Sequence, residues 1–161
     1  MITKFYEKCD EAELLEVAQI LKDGGLVAIP TETVYGLAAN AYNGDAVSRV
    51  FEAKGRPTDN PMIVHISSVE EIYPLVTDFP EKARRLAEAF WPGPLTMILP
   101  KSELVPRQVA PKLETVAVRM PSHPIARRII ELAGVPLAAP SANTSGSPRS
   151  EEHTSELQSL G

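Results

Sequence analysis

The sequence predicts an α/β protein, a sheet flanked by helices. Two observations carry this reading. Short apolar runs alternate along the chain with stretches whose apolar residues recur at helical spacing. The fifteen prolines fall mostly where one kind of segment gives way to the next: Ile29-Pro30, Arg56-Pro57, Asn60-Pro61, Trp91-Pro92-Gly93-Pro94, Met120-Pro121 and Ala139-Pro140. A residue with fixed φ and no donor suits a rigid loop at a strand end, where sites tend to form.

Taken in order, Asp10 with Glu13 has the form of a capping box, and Leu14, Ala18 and Leu21 then share one helical face. Gly24-Gly25 ends that helix, and the apolar run Leu26–Ile29 predicts a buried strand. The segment Pro30 to Leu37 reads as a loop. A second helix is predicted over Asp45–Ala53 with Val47, Val50 and Phe51 inward, followed by a strand over Met62–Ile66. Ser68 with Glu71 repeats the capping-box pattern and opens a short helix toward Leu75. Pro80 fits a first helical position, and Ala83, Leu86, Ala87 and Phe90 form the next apolar face. Strands are predicted over Leu95–Leu99 and Thr115–Arg119, a helix over Pro124–Ala133 stopped by Gly134, and a last strand over Pro136–Ala139. The sequence shows no internal repeat and no linker.

Bulk properties exclude several functions. The single cysteine, Cys9, rules out an internal disulfide and a cysteine-based zinc cluster. Neither a secretory leader nor a membrane-length apolar run is visible, so the cytoplasm is the expected compartment and no membrane partner is expected. A net charge of −5 argues against non-specific coating of nucleic acid, while leaving room for a local basic cleft. There is no phosphate-binding GxxxxGK[ST] loop, no GxGxxG fingerprint and no HExxH pair. A nucleotide would have to be held by another device.

Several segments concentrate polar chemistry. Thr31-Glu32-Thr33-Val34-Tyr35-Gly36 packs two hydroxyls, a carboxylate and a phenol ahead of a glycine that permits close backbone approach. It could bind a small polar ligand or simply cap a turn. Lys54 and Arg56 close the second helix on a stiff Gly/Pro-rich stretch that runs through Asn60-Pro61. They suit phosphate, or they complement the helix dipole. His65 lies on the strand face opposite Val64 and Ile66; most strand histidines are structural. Arg119 at a strand end suits a carboxylate or a surface ion pair. Ser141 and Asn143 place a hydroxyl and an amide directly after a buried strand, where an ordinary helix cap is the plainer reading. Trp91-Pro-Gly-Pro94 reads as a structural turn.

These segments form an ordered set: PTETVYGLAANA at 30–41, KGRP at 54–57 with NP at 60–61, WPGPLT at 91–96, VAVRMP at 116–121 and APSANTSG at 139–146. The set resembles the YrdC-like family of threonylcarbamoyl-adenylate synthases across residues 10–148, including a Lys-x-Arg followed later by Ser-x-Asn. The resemblance implies a twisted mixed sheet flanked by helices around a large concave electropositive site. It implies an enzyme that joins L-threonine, bicarbonate and ATP, with Mg²⁺ accompanying the nucleotide, and releases pyrophosphate. A partner threonylcarbamoyltransferase would then modify tRNA. By position, Thr33, His65, Arg119 and the backbone at Ala139 are implied as threonine-binding. Lys54, Arg56, Asn60, Thr115, Ser141 and Asn143 are implied as ATP-side residues, with Lys54 and Arg56 stabilising the charge that develops in the reaction.

Two other readings compete. One is a non-catalytic module that binds tRNA or double-stranded RNA. The other is the related domain of hydrogenase-maturation carbamoyltransferases, although no acylphosphatase-like or zinc-finger segment precedes residue 10.

The sequence departs from the family pattern near its end, where Arg149 stands in place of an expected ATP-side serine. RSEEHTSELQS at 149–159 lacks apolar periodicity and is similar to a translated sequencing adapter, although polar termini are also common in real proteins. The expected organisation is therefore a YrdC-like domain over 1–148, incomplete at its C-terminus, and an artefactual, disordered tail over 149–161.

Overall fold

The computed structural model describes residues 9–30, 35–55 and 61–140. Five of the implied site residues, Thr33, Arg56, Asn60, Ser141 and Asn143, lie outside that set, as do the tail at 149–161 and its boundary at 148.

The first helix, α1 (Glu11–Lys22), starts where the sequence places it. Asp10 accepts a hydrogen bond from Glu13 N at 3.0 Å, while the Glu13 carboxylate reaches back to Cys9 N at 2.7 Å, one residue before the usual partner. Leu14, Ala18 and Leu21 are buried with Val17. Next comes a β-hairpin, β1 (Val27–Pro30) and β2 (Tyr35–Asn40), with Pro30 opposite Tyr35 and Val27 opposite Ala38. This corrects two expectations. Part of the supposed loop to Leu37 is strand, and Gly36 sits inside β2 facing Ile29 rather than in a turn. The run Leu26–Ile29 is also an edge strand rather than a fully buried one: Ile29 is in the core but Ala28 is exposed. An uninterrupted apolar run does not distinguish a central strand from an edge covered on one side.

Helix α2 (Gly44–Lys54) buries Val47, Val50 and Phe51 and ends at Gly55, whose φ of 66° is the left-handed cap that glycine adopts without a steric cost. Then follow β3 (Met62–His65) and a 3-10 turn over Val69–Leu75. Only half of the expected capping box forms here. Ser68 makes no side-chain cap, whereas Glu71 accepts bonds from Ser67 N at 3.2 Å and from the Ser67 and Ser68 hydroxyls.

Helix α3 (Glu81–Phe90) takes Pro80 as its N-cap. It buries Ala83 and Ala87 but leaves Leu86 and Phe90 exposed, Phe90 to 56%, so its apolar face is narrower than the sequence suggests. The remaining elements are β4 (Thr96–Pro100), β5 (Thr115–Arg119), α4 (Pro124–Ala133) and β6 (Leu137–Pro140).

The six strands form one mixed sheet in the order β1-β2-β6-β3-β5-β4, in which only β3 and β5 run parallel. Strand side chains alternate, so the register sorts them onto two faces. On one face Ala39, Ala138, Val64, Val118 and Met97 follow one another across the sheet and join the larger core, with α2, the 3-10 turn and α3. On the other, Ile29, Ala38, Leu137 and Ala139 form a smaller core with α1 and α4, and this core takes no buried residue from β3, β5 or β4. Over β3, β5 and β4 that face carries the buried His65 and the partly buried Ile63, Ala117, Arg119 and Thr96.

Candidate active site

The half of this face that β3, β5 and β4 contribute is laid out in two rows. One row of register partners runs Ala139, Ile63, Ala117, Ile98; the next runs Leu137, His65, Arg119, Thr96. Ile63, Ala117, Arg119, Thr115 and Thr96 are partly buried, and Ile98 on the edge strand is 69% exposed. The exposed Ile98 lies beside Ala117, in the row next to the one that carries His65 and Arg119.

Four of the implied site residues therefore share one face of the sheet: His65, Arg119, Thr115 and Ala139. His65 and Arg119 are direct partners across the parallel β3–β5 pair. His65 is only 2% exposed, and its Nδ1 lies 3.1 Å from the Ile63 carbonyl oxygen of its own strand. A carbonyl oxygen only accepts, so Nδ1 carries the proton. In the neutral ring Nε2 is then the acceptor. Arg119 donates from Nε to Thr96 Oγ1 at 3.0 Å. Ala139 lies two strands from Ala117, and a Cβ built on Gly36 would come within 3.8 Å of its Cβ, an ordinary contact. Close packing therefore does not by itself demand a glycine at Gly36.

Lys54 stands apart from this face. It closes α2 in the other layer, partly buried, with the left-handed Gly55 directly after it. The segments carrying the remaining candidates nevertheless join the described chain at one end of the sheet. Pro30 opposes Tyr35, Met62 opposes Pro140, and Thr115 begins β5 beside the start of β3. Pro30, Tyr35, Met62 and Pro140 therefore lie at the same end.

Thr96 was missed by the sequence reading. Its signal was available: it ends WPGPLT and falls on the strand that follows the turn. What that segment alone could not give is the antiparallel register that sets Thr96 opposite Arg119. The turn itself is built as expected, with a cis Trp91–Pro92 bond and a Trp91 indole that donates to Leu95 O at 2.8 Å.

Among the described residues no three His, Cys, Asp or Glu side chains cluster as a metal site, and no helix is long and apolar enough to cross a membrane.

Comparison with known proteins gives this geometry its context. The Sua5/yciO/yrdC family model, described as "Telomere recombination", matches residues 19–161. The chain is 54% identical over 158 residues to a threonylcarbamoyl-AMP synthase of Pyrococcus abyssi, covering 97% of this chain and 46% of that protein. It is 51% identical to one of Bacillus subtilis, covering 89% and 42% respectively. The chain thus spans less than half the length of these relatives. Its fold is similar, with a TM-score of 0.82 and 57% identity, to the crystal structure of Pyrococcus abyssi Sua5 complexed with L-threonine, over 88% of this chain and 42% of that one. With a family match over most of its length and an α/β sheet of the same fold, the chain belongs to the Sua5/YciO/YrdC family.

Proposed function

We propose that the protein makes L-threonylcarbamoyl-AMP from L-threonine, bicarbonate and ATP, releasing pyrophosphate and water. The observation that carries this reading is the meeting of His65 and Arg119. Two residues implied as threonine ligands by the family resemblance, far apart in sequence, are register partners on the same face of the sheet. The names of the relatives, and the L-threonine in the related structure, agree with it.

In this reading the Arg119 guanidinium pairs with the threonine carboxylate, a planar fork on a planar acceptor. His65, Thr33 and the backbone at Ala139 complete the pocket. The amine captures bicarbonate with loss of water to give a carbamate. A carbamate oxygen then forms a bond to the α-phosphorus of ATP as the bond to pyrophosphate breaks. Thr115 is four residues from Arg119 on the same strand face, roughly 13 Å at the usual strand rise. That separation leaves room for an amino acid and a nucleotide side by side.

Lys54, Arg56, Asn60, Thr115, Ser141 and Asn143 form the ATP side and make the site electropositive. Lys54 and Arg56 stabilise the charge that builds on phosphoryl oxygens, each such donor contributing about 3 kcal/mol to lowering the barrier. Reaction at this site is mostly positioning and charge stabilisation, with no covalent enzyme intermediate. The described residues offer no carboxylate cage for Mg²⁺. The ion enters on the ATP phosphates, and no step here is assigned to a protein-held metal.

We place the reaction in the cytoplasm, on the unit spanning 1–148. Its product goes to a threonylcarbamoyltransferase that acts on tRNA, and tRNA itself is a further candidate ligand. The test is pyrophosphate release with Mg²⁺-ATP. Release that requires both L-threonine and bicarbonate is expected. Release without threonine overturns the assignment. No release, together with RNA binding that survives loss of Lys54 and Arg56, favours the non-catalytic module.

A further inference from the structure

We infer that Thr96, with the Trp91–Pro94 turn behind it, is a positioning residue that aims the Arg119 guanidinium at the substrate carboxylate. This rests on the proposed threonine reading of the His65–Arg119 face and adds a residue to it.

The geometry has three parts. Thr96 and Arg119 are opposite each other in the antiparallel β4–β5 pair, so both side chains leave the same face of the sheet. The Thr96 hydroxyl accepts from Arg119 Nε at 3.0 Å, and among the described residues this is the hydrogen bond that fixes the guanidinium. An arginine held at Nε has one edge of its fork committed and its two terminal nitrogens presented together, which is the arrangement a carboxylate needs.

The turn before β4 then fixes both partners. Gly93 N donates to Met120 O at 2.8 Å, directly after Arg119, and the Trp91 indole donates to Leu95 O at 2.8 Å, directly before Thr96. Trp91 is buried in the larger core, so the clamp is anchored. Gly93 is confined to glycine by its surroundings: a Cβ there would meet the Phe90 carbonyl oxygen at 2.5 Å. The turn that reads from sequence as merely structural thus ties the end of β5 to the start of β4 on either side of the Thr96–Arg119 bond.

The test measures binding of L-threonine and of L-threonine amide, which lacks the carboxylate, to the full chain and to Thr96→Val, Thr96→Ser and Arg119→Ala. Valine keeps the β-branched shape and removes the acceptor; serine keeps the acceptor. The expected result is that Thr96→Val weakens L-threonine binding by about tenfold and lowers the preference for L-threonine over its amide by a similar factor. The melting temperature stays unchanged, and Thr96→Ser restores the preference. A Thr96→Val variant that keeps the wild-type preference, while Arg119→Ala loses it, overturns the positioning role and leaves the threonine reading intact. Absence of threonine binding by the unsubstituted chain overturns the threonine reading, and this inference with it.

Discussion

His65 and Arg119 stand side by side at the C-terminal ends of two parallel strands, one imidazole nearly sealed and one guanidinium only partly so. The sealed ring has its Nδ1 proton committed to Ile63 O and so is set as an acceptor, while the arginine is a fixed donor. In the proposed reading the arginine meets the threonine carboxylate.

Arg119→Lys should therefore fail despite keeping the charge. A lysine offers a point charge where the site calls for a fork, and it cannot make the bond to Thr96 in the same geometry. L-threonine affinity should fall at least about tenfold, with Mg²⁺-ATP affinity unchanged. Equal losses for both ligands in equilibrium titrations would argue against a carboxylate role.

Lys54 allows the complementary experiment from the other layer of the molecule. Lys54→Ala should lower kcat by about a hundredfold, the equivalent of about 3 kcal/mol of charge stabilisation, and leave threonine binding intact. The αL cap at Gly55 holds the helix end through its backbone, so the helix itself should persist in the variant. A lowered melting temperature with unchanged kcat would mean that Lys54 serves the helix terminus alone.

Phe51 and Phe90 separate the real core from the one suggested by periodicity. Phe51 is 2% exposed in the larger core, and Phe51→Ala should cost about 3–5 kcal/mol in urea denaturation. Phe90 ends α3 in solvent, and Phe90→Ala should cost less than about 1 kcal/mol. Similar losses for the two would mean that α3 buries its full apolar stripe in solution.

The helices were legible because their signals are local: a cap at Asp10, an αL glycine at Gly55 and Gly134, a 3.6-residue period between them. Leu86 and Phe90 mark the limit of that logic, since periodicity defines a face but not how much of it a neighbour covers. The β1–β2 hairpin was half missed because Tyr35 and Gly36 carry no alternation strong enough to announce a strand between polar neighbours. His65 and Arg119 could be singled out from sequence by type and strand position. Their adjacency could not, since residue order along the chain does not reveal that β3 lies beside β5 rather than β4. The pairing of Thr96 with Arg119 was hidden for the same reason.

Glycine substitutions test the turn behind the site. Gly134 has φ of 73° with nothing within 4 Å of a built Cβ, so Gly134→Ala pays only for the left-handed backbone, about 1–2 kcal/mol. Gly93→Ala drives a Cβ into the Phe90 carbonyl, a backbone atom that cannot swing away, and should cost more than Gly134→Ala. Gly93→Ala should also weaken threonine binding, because the Gly93 N bond to Met120 O must shift. Loss of stability with intact binding would separate the turn from the site.

Tyr42 makes stability sensitive to alkaline pH. Burial raises its phenol above the ordinary value of 10.0, and the charge of Glu71 adds to that rise. The Glu71 carboxylate is held at one oxygen by Ser67 and Ser68, while Oε1 is buried without a hydrogen-bond partner. A phenol whose pKa is raised by folding contributes stability that is complete below the unfolded pKa and is lost as pH rises through the folded one. Below about pH 10 both states keep the proton and nothing changes. Above it the unfolded chain ionises first and is favoured, so stability falls. Tyr42→Phe should remove part of that fall. Glu71→Gln should remove less of it, since burial is the larger cause. Urea denaturation from pH 8 to 11 measures the slopes: a wild-type slope no steeper than that of Tyr42→Phe would mean that the phenol reaches solvent in the folded protein.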